Sequence, residues 1–214
     1  MVSDTPAYRV QQALDHLEQG KIIILVDDIK EKEADLMIAA KHATPENIAH
    51  FLDIAGAGGL FCIPLASEAI DYLALKPMTD NFNYTDSCSL MEGVDSKKGG
   101  TGISADDRAL VIDHLITGQP GLLAKPGHTF PLRERIGGFG VRQGHTESSL
   151  KLISLAEIMP YGAAIQEIMR RGNPIKGGDI ERFAHRYDKP IVSISDMKDY
   201  IQAGCPSPGQ QSFF

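Results

Sequence analysis

Lys21-Ile22-Ile23-Ile24-Leu25-Val26-Asp27-Asp28-Ile29-Lys30-Glu31-Lys32-Glu33-Ala34-Asp35-Leu36-Met37-Ile38-Ala39-Ala40 is the stretch on which the architecture turns. Ile22 to Val26 is a continuous apolar, β-branched run, the signature of a buried strand. Leu36 to Ala40 reads as a second strand. Only the dense charge of Asp27 to Asp35 separates them. Outward from this pair, helices and strands alternate, though imperfectly, and some strands are joined by loops alone. Upstream, Pro6 to Glu18 carries Val10, Ala13, Leu14 and Leu17 at helical spacing, with Gly20 as a C-terminal cap. Downstream, Thr44-Pro45-Glu46 starts a helix with threonine as cap and proline in the first turn. Ile48, Phe51, Leu52 and Ile54 supply its buried face.

The same reading predicts a strand over Leu60–Leu65, a short helix over Ser67–Leu75 and a polar loop around Asn81 and Asn83. Ser87–Met91 reads as a strand, Glu92–Gly100 as a mobile loop, and Ser104 to Asp107 as a capping box for a helix to Ile116. Gln119–Phe130, rich in Pro and Gly, reads as irregular. Leu150, Ile153 and Leu155 mark a helix, Ala163–Ile168 a strand, and Asp179 the cap of a helix carrying Ile180, Phe183 and Tyr187. Lys189–Ile194 is a last strand, with Ser195 capping a last helix. The expected fold is α/β (α+β), a single domain over residues 1–204. Its mixed sheet is covered by helices in three layers, and Cys205 to Phe214 form a loose tail.

Composition narrows the function. The chain has 214 residues, 43% hydrophobic and 23% charged, as in ordinary globular proteins. A net charge of -7 argues against a general nucleic-acid binder. No run is long and apolar enough to cross a bilayer, so no membrane partner is expected. Cys62, Cys88 and Cys205 are too few and too widely spaced for a disulfide framework or a zinc site, which points to a reducing, cytoplasmic setting.

Four groups of residues can carry chemistry. Arg142-Gln143-Gly144-His145-Thr146-Glu147 closes a glycine-rich run from Gly137 and leads into a helix. Arg142 to Thr146 therefore sit at a helix N-terminus, which favours an anion, with the arginine fork suited to phosphate and His145 able to bind a metal. Read alone, this is also an ordinary glycine loop. Glu31, Glu33 and Asp35 recur at intervals of two, and in an extended loop they point one way. With His145 they suit magnesium or manganese better than zinc, although a solvated surface loop reads the same. His128, on the stiff backbone of Lys125-Pro126-Gly127-His128-Thr129-Phe130-Pro131, suits acid/base work or is an ordinary surface histidine. Glu167 lies in an apolar strand. Burial there raises a carboxyl pKa and fits it for proton transfer, the alternative being an ion pair with Arg170 or Arg171.

Taken together and in order, these motifs resemble the 3,4-dihydroxy-2-butanone-4-phosphate synthase family. Val26-Asp27-Asp28 with Glu31 to Leu36 carries the resemblance, as do Gly59-Leu60-Phe61-Cys62, Thr101 to Arg108 and Pro126 to Arg133. Arg142 to Glu147 and the strand ending at Glu167 complete it, over about Val10 to Ile201. The resemblance implies magnesium-dependent conversion of ribulose 5-phosphate to 3,4-dihydroxy-2-butanone 4-phosphate and formate in riboflavin biosynthesis. It implies Glu31 and His145 as metal ligands, and Lys30, Glu31, Asp35, Arg142, Gln143, Gly144, His145 and Thr146 as substrate-binding residues. His128, Glu167 and Glu33 are implied as catalytic, in a homodimer with active sites at the subunit interface. The acidic loop is one residue shorter than the family's usual form, has lysine where arginine is expected, and places Ala34 where glycine is usual. Two alternatives therefore stay open: a paralogue acting on another phosphorylated sugar or keto compound, and an inactive sugar-phosphate-binding protein.

Overall fold

The computed structural model describes residues 5–79 and 88–204. The loop around Asn81 and Asn83, Ser87, and the tail from Cys205 lie outside the described residues. In chain order the elements are α1 (Pro6–Glu18), β1 (Ile23–Asp27), β2 (Glu33–Ala39), α2 (Pro45–Ala55), β3 (Cys62–Leu65) and α3 (Ser67–Tyr72). There follow β4 (Ser89–Leu90), β5 (Val94–Ser96), α4 (Ala105–Ile116), β6 (Leu123–Arg133) and α5 (His145–Leu155). The chain continues through β7 (Ala163–Glu167), β8 (Met169–Arg170), β9 (Asn173–Pro174), α6 (Gly178–Tyr187), β10 (Ile191–Ser193) and α7 (Ile194–Gln202).

The main sheet runs β10-β1-β2-β7-β3-β6-β4, with β5 on β6. The β1–β10 and β3–β6 pairs are parallel and the others antiparallel, so the sheet is mixed as expected. All five residues of β1 are buried because both faces of the sheet are covered. Ile24, Val26, Leu36 and Ile38 pack with the buried faces of α2, α3, α4 and α6. Ile23, Leu25, Met37 and Ala39 pack with α1, α5 and α7. Alternation along each strand thus feeds two cores and gives three layers. Each fully buried Ile or Leu in these cores contributes about 1.5–3 kcal/mol relative to exposure.

Local departures from expectation have identifiable causes. Gln119–Phe130 is not irregular; β6 occupies most of it. Its glycine is needed, since a Cβ on Gly127 would fall 2.1 Å from the Val94 carbonyl carbon of β5. Glu92–Gly100 contains β5 rather than being a free loop, and β5 is too short to show a period. The last helix is capped by Ser193, not Ser195, in a reciprocal capping box with Asp196. Helix α6 is preceded by Gly177, and Asp179 lies in its first turn rather than at the cap.

Candidate active site

Strand register assembles the acidic half of the site. Leu25 lies opposite Asp35, Asp27 opposite Glu33, and Asp35 opposite Glu167. Asp27, Asp35 and Glu167 are in phase with Leu25, Met37 and Ile165, which belong to the core under α1, α5 and α7. Three carboxylates from three adjacent strands therefore gather on one face at one end of the sheet. Glu33 has the same phase, but its side chain pairs with Lys176 Nζ at 2.9 Å.

The β1–β2 connection is a tight turn, not an extended loop. Buried Asp27 shapes it: its Oδ1 accepts the N–H of Ile29 at 3.0 Å and of Lys30 at 2.8 Å. Lys32 closes the turn in the left-handed region at φ 55°. Glu31 is thereby carried inward, its Oε2 3.3 Å from His145 Nδ1. Ala34, where the family's loop has glycine, is fully buried in regular strand, so its methyl group packs in the core.

The second half is the N-terminus of α5. Gly144 is its N-cap, and a Cβ there would lie 2.5 Å from Arg142 Nη1. The bare backbone lets Arg142 fold back over the turn, where Nη1 donates to Glu147 Oε2 at 2.5 Å. Glu147, 1% exposed, also accepts the N–H of Arg135 at 3.1 Å, so it ties the glycine-rich segment to the helix. The first N–H groups of any helix lack intrahelical acceptors, which makes this end a natural anion seat.

A cavity of about 150 Å³ lies between the two halves, lined by Glu31, Asp35, Arg142, His145, Thr146 and Glu167, with Cys62 and Cys88 in its wall. Asp35 Oδ1 and His145 Nε2 face each other at 3.9 Å, and both are buried with no hydrogen-bond partner among the described residues. Buried polar atoms are ordinarily satisfied, so this pair fits a site built for a further group. Asp27, Glu31 and His145 place ligand atoms within 4.8 Å of one another. Oxygen donors with one imidazole are the donor set of a hard divalent cation. Burial pushes the Asp35 carboxyl up to about 7; His145 opposes the shift, while Glu167, Glu31 and Glu33 add to it. Burial also opposes a charge on His145, but Asp35, Glu31 and Asp27 outweigh it and raise the imidazole to about 9. The hydrogen bond with His145 outweighs burial at Glu31 and holds that carboxyl below its usual value. The Cys62 thiol is pushed well up by burial, with Glu167 and Asp35 adding, which suits a wall residue rather than a nucleophile.

Glu167 is half-buried, and its Oε2 accepts the Leu60 N–H at 2.8 Å. Gly59 permits that approach, since a Cβ there would sit 2.8 Å from the Glu167 carbonyl oxygen. The ion-pair alternative is absent at Arg170, whose guanidinium instead binds the carbonyls of Ile54, Ala55 and Met169.

Among the sequence-derived residues, the fold brings together Glu31, Asp35, Arg142, His145, Thr146 and Glu167. Gln143 and Gly144 form the turn entering α5. The side chains of Lys30 and Glu33 do not line the cavity, and neither does His128. His128 lies in β6 with its side chain 54% exposed and its ring bound to Asp95. Sequence reasoning gave no role to Asp27 or Glu147. An aspartate ending a buried strand and a glutamate in the first turn after Arg142 were the signals available.

Residues 11–200 match the family model described as 3,4-dihydroxy-2-butanone 4-phosphate synthase. The chain is 36% identical over 200 residues to the enzyme of that name from Aliivibrio fischeri, covering 92% of this chain and 91% of the relative. It is 36% identical over 199 residues to the one from Shewanella pealeana, covering 91% and 93%. A crystal structure of a 3,4-dihydroxy-2-butanone 4-phosphate synthase in complex with two magnesium ions is similar, with TM-score 0.82 and 31% identity. That match covers 91% of this chain and 96% of the other. With its ordered motifs, its carboxylate–histidine cluster and these matches over nearly its whole length, the chain belongs to the 3,4-dihydroxy-2-butanone 4-phosphate synthase family.

Proposed function

We propose that the protein converts D-ribulose 5-phosphate to 3,4-dihydroxy-2-butanone 4-phosphate and formate, a lyase step of riboflavin biosynthesis. Its cofactor on this reading is magnesium, or manganese in its place. The observation that carries the reading is the unsatisfied Asp35–His145 pair, with Glu31 and Asp27 beside it, next to an arginine-bearing helix N-terminus. Glu31 and His145 would hold the cation, with Asp27 within reach. A cation held there would supply Lewis-acid chemistry, favouring negative charge on neighbouring substrate oxygens.

The chain's own residues do the rest. Arg142, Thr146 and the amides of Gln143 and Gly144 seat the phosphate and set the distance from it to the reacting carbons. Asp35 binds a sugar hydroxyl beside the cation. Glu167, aimed by the Leu60 N–H, moves a proton at its free carboxylate oxygen. Leu60, Leu132 and Ile165 line the cavity and limit water there. His128 reaches this cavity from a second copy of the chain, which makes the working unit a homodimer with shared sites. Lys30 and Glu33 receive no role in this scheme. No described helix is long and apolar enough to cross a membrane, and the described cysteines are free, which accords with a cytoplasmic enzyme.

The test is formate release from ribulose 5-phosphate by the purified protein, with magnesium and with chelator. Magnesium-dependent formate at an enzyme-like rate is expected. Sugar phosphates that raise the melting temperature without any formate appearing would transfer the site to a different substrate.

A further inference from the structure

Helix α6 and the β8–β9 hairpin face each other across a cleft of about 580 Å³ that shares no residue with the cavity at Asp35 and His145. Its helical wall is Asp179, Arg182, Phe183, Arg186 and Tyr187, at the i, i+3, i+4, i+7 and i+8 spacing of one helix face. Phe183 is buried and Tyr187 half-buried, while the two arginines are exposed. Arg170 and Arg171 of the hairpin form the opposite wall. Four arginines thus line the cleft against one aspartate, in a chain whose net charge is -7. A concave surface of locally reversed sign concentrates small anions.

The charges are held in place. Arg170 is fixed by the carbonyls of Ile54, Ala55 and Met169 and lies 4.8 Å over the Phe183 ring. Arg186 lies 5.6 Å over the Tyr187 ring. Arg171 and Gly172, at φ 52° and 79°, make the two-residue turn between β8 and β9. Asparagine or glycine is the unstrained choice at both turn positions, so an arginine there carries a conformational cost. Arg182 pairs with Asp179, whereas Arg171 and Arg186 have no acidic partner among the described residues. Two unpaired planar forks suit two phosphoryl groups. The volume falls in the roughly 300–1,000 Å³ range of small-molecule sites.

We propose that this cleft is a second ligand site, taking a diphosphate-bearing small molecule of nucleotide size with Arg171 and Arg186 on its phosphates. The acidic remainder of the chain repels an extended polyanion, so a small ligand fits better than a nucleic acid. The inference does not depend on the reaction assigned to the other cavity.

Titration calorimetry with ADP as the probe, in chelator, tests it on the wild type, on Arg142→Lys and on the double variant Arg171→Asn with Arg186→Gln. Asparagine tolerates the left-handed turn position and both side chains are exposed, so the double variant keeps the fold. ADP should bind the wild type and Arg142→Lys alike, and the double variant about 10-fold or more weakly, since two charged contacts are lost. Adenosine and inorganic phosphate should each bind the wild type at least about 10-fold more weakly than ADP, and formate release by the double variant should stay at the wild-type rate. Equal ADP affinity in the wild type and the double variant overturns the proposal, as does no binding at millimolar ADP. Affinity lost in Arg142→Lys but kept in the double variant moves the phosphates to the N-terminus of α5 and also overturns it. Adenosine as tight as ADP removes the role of the phosphates, and inorganic phosphate as tight as ADP removes the nucleotide-sized ligand.

Discussion

Asp35 and Glu167 are neighbours across β2 and β7, yet the protein treats them differently. Asp35 is 5% exposed with an unsatisfied Oδ1, whereas Glu167 is half-buried and anchored by the Leu60 amide. The sequence suggested Glu167 as the desolvated carboxylate, because one strand read alone shows an acid among apolar residues and not what lies across from it. The N-terminus of α5 was more legible, since glycine, arginine and a helix start are contiguous in the chain. Replacing His145 with alanine should weaken divalent-cation binding, measured by titration calorimetry, by about 100-fold or more; unchanged affinity would remove it from the ligand set. Arg142→Lys should keep the charge against Glu147 but lose the fork, raising KM for the sugar phosphate with little change in melting temperature. Arg142→Ala strands the buried Glu147 carboxylate and should also cost about 3–5 kcal/mol of stability. If calorimetric melting shows Arg142→Ala as stable as Arg142→Lys, the structural half of the arginine's role is wrong. Lys32, strained at φ 55° in the shortened turn, offers the opposite sign. Lys32→Gly should raise stability by up to about 1 kcal/mol, since a left-handed residue costs roughly 1–2 kcal/mol and glycine returns part of that as chain entropy.

Helices α1 and α7 share an apolar contact and are also fastened by a polar clamp. Arg9 Nε donates to Asp196 Oδ2 at 2.9 Å, and the same carboxylate accepts the Ser193 N–H at 3.0 Å as part of the cap of α7. Burial opposes the charge on Asp196, but the Arg9 and Ser193 hydrogen bonds prevail and hold its carboxyl below the ordinary 3.8. A carboxyl depressed on folding adds stability above its unfolded pKa and loses it as pH falls through the folded value. Arg9→Ala should therefore lower the melting temperature at pH 7, by several degrees for a cost of about 1–3 kcal/mol. The gap from wild type should narrow below about pH 4. A gap that stays constant down to pH 2 would show that Asp196 does not carry the linkage. Such clamps are invisible in sequence, as Arg9 and Asp196 are 187 residues apart. The helices themselves were legible from apolar spacing. Strand β6 was not, because Pro126, Gly127 and Pro131 mimic a loop unless the crossing with β5 is known.

At the scale of the whole molecule, the residues proposed for acid–base work lie in two places. The cavity proposed for cation and phosphate lies where β1, β2 and β7 meet α5, while His128 and Asp95 lie on the β5–β6 pair and line no part of it. The three-layer architecture followed from the alternation of apolar runs, and the motif order pointed to the family. The separation of His128 from the cavity could not be read from the motifs, because spacing along the chain says nothing about distance across the fold. The account needs the two places to meet across a dimer, and subunit mixing tests that directly. His128→Ala and His145→Ala should each release almost no formate. Unfolded together and refolded as a mixture, they should recover up to about a quarter of wild-type magnesium-dependent activity, because about half the dimers are mixed and each holds one intact site. Mixed dimers that form but stay inactive would contradict the shared site and return His128 to its own chain.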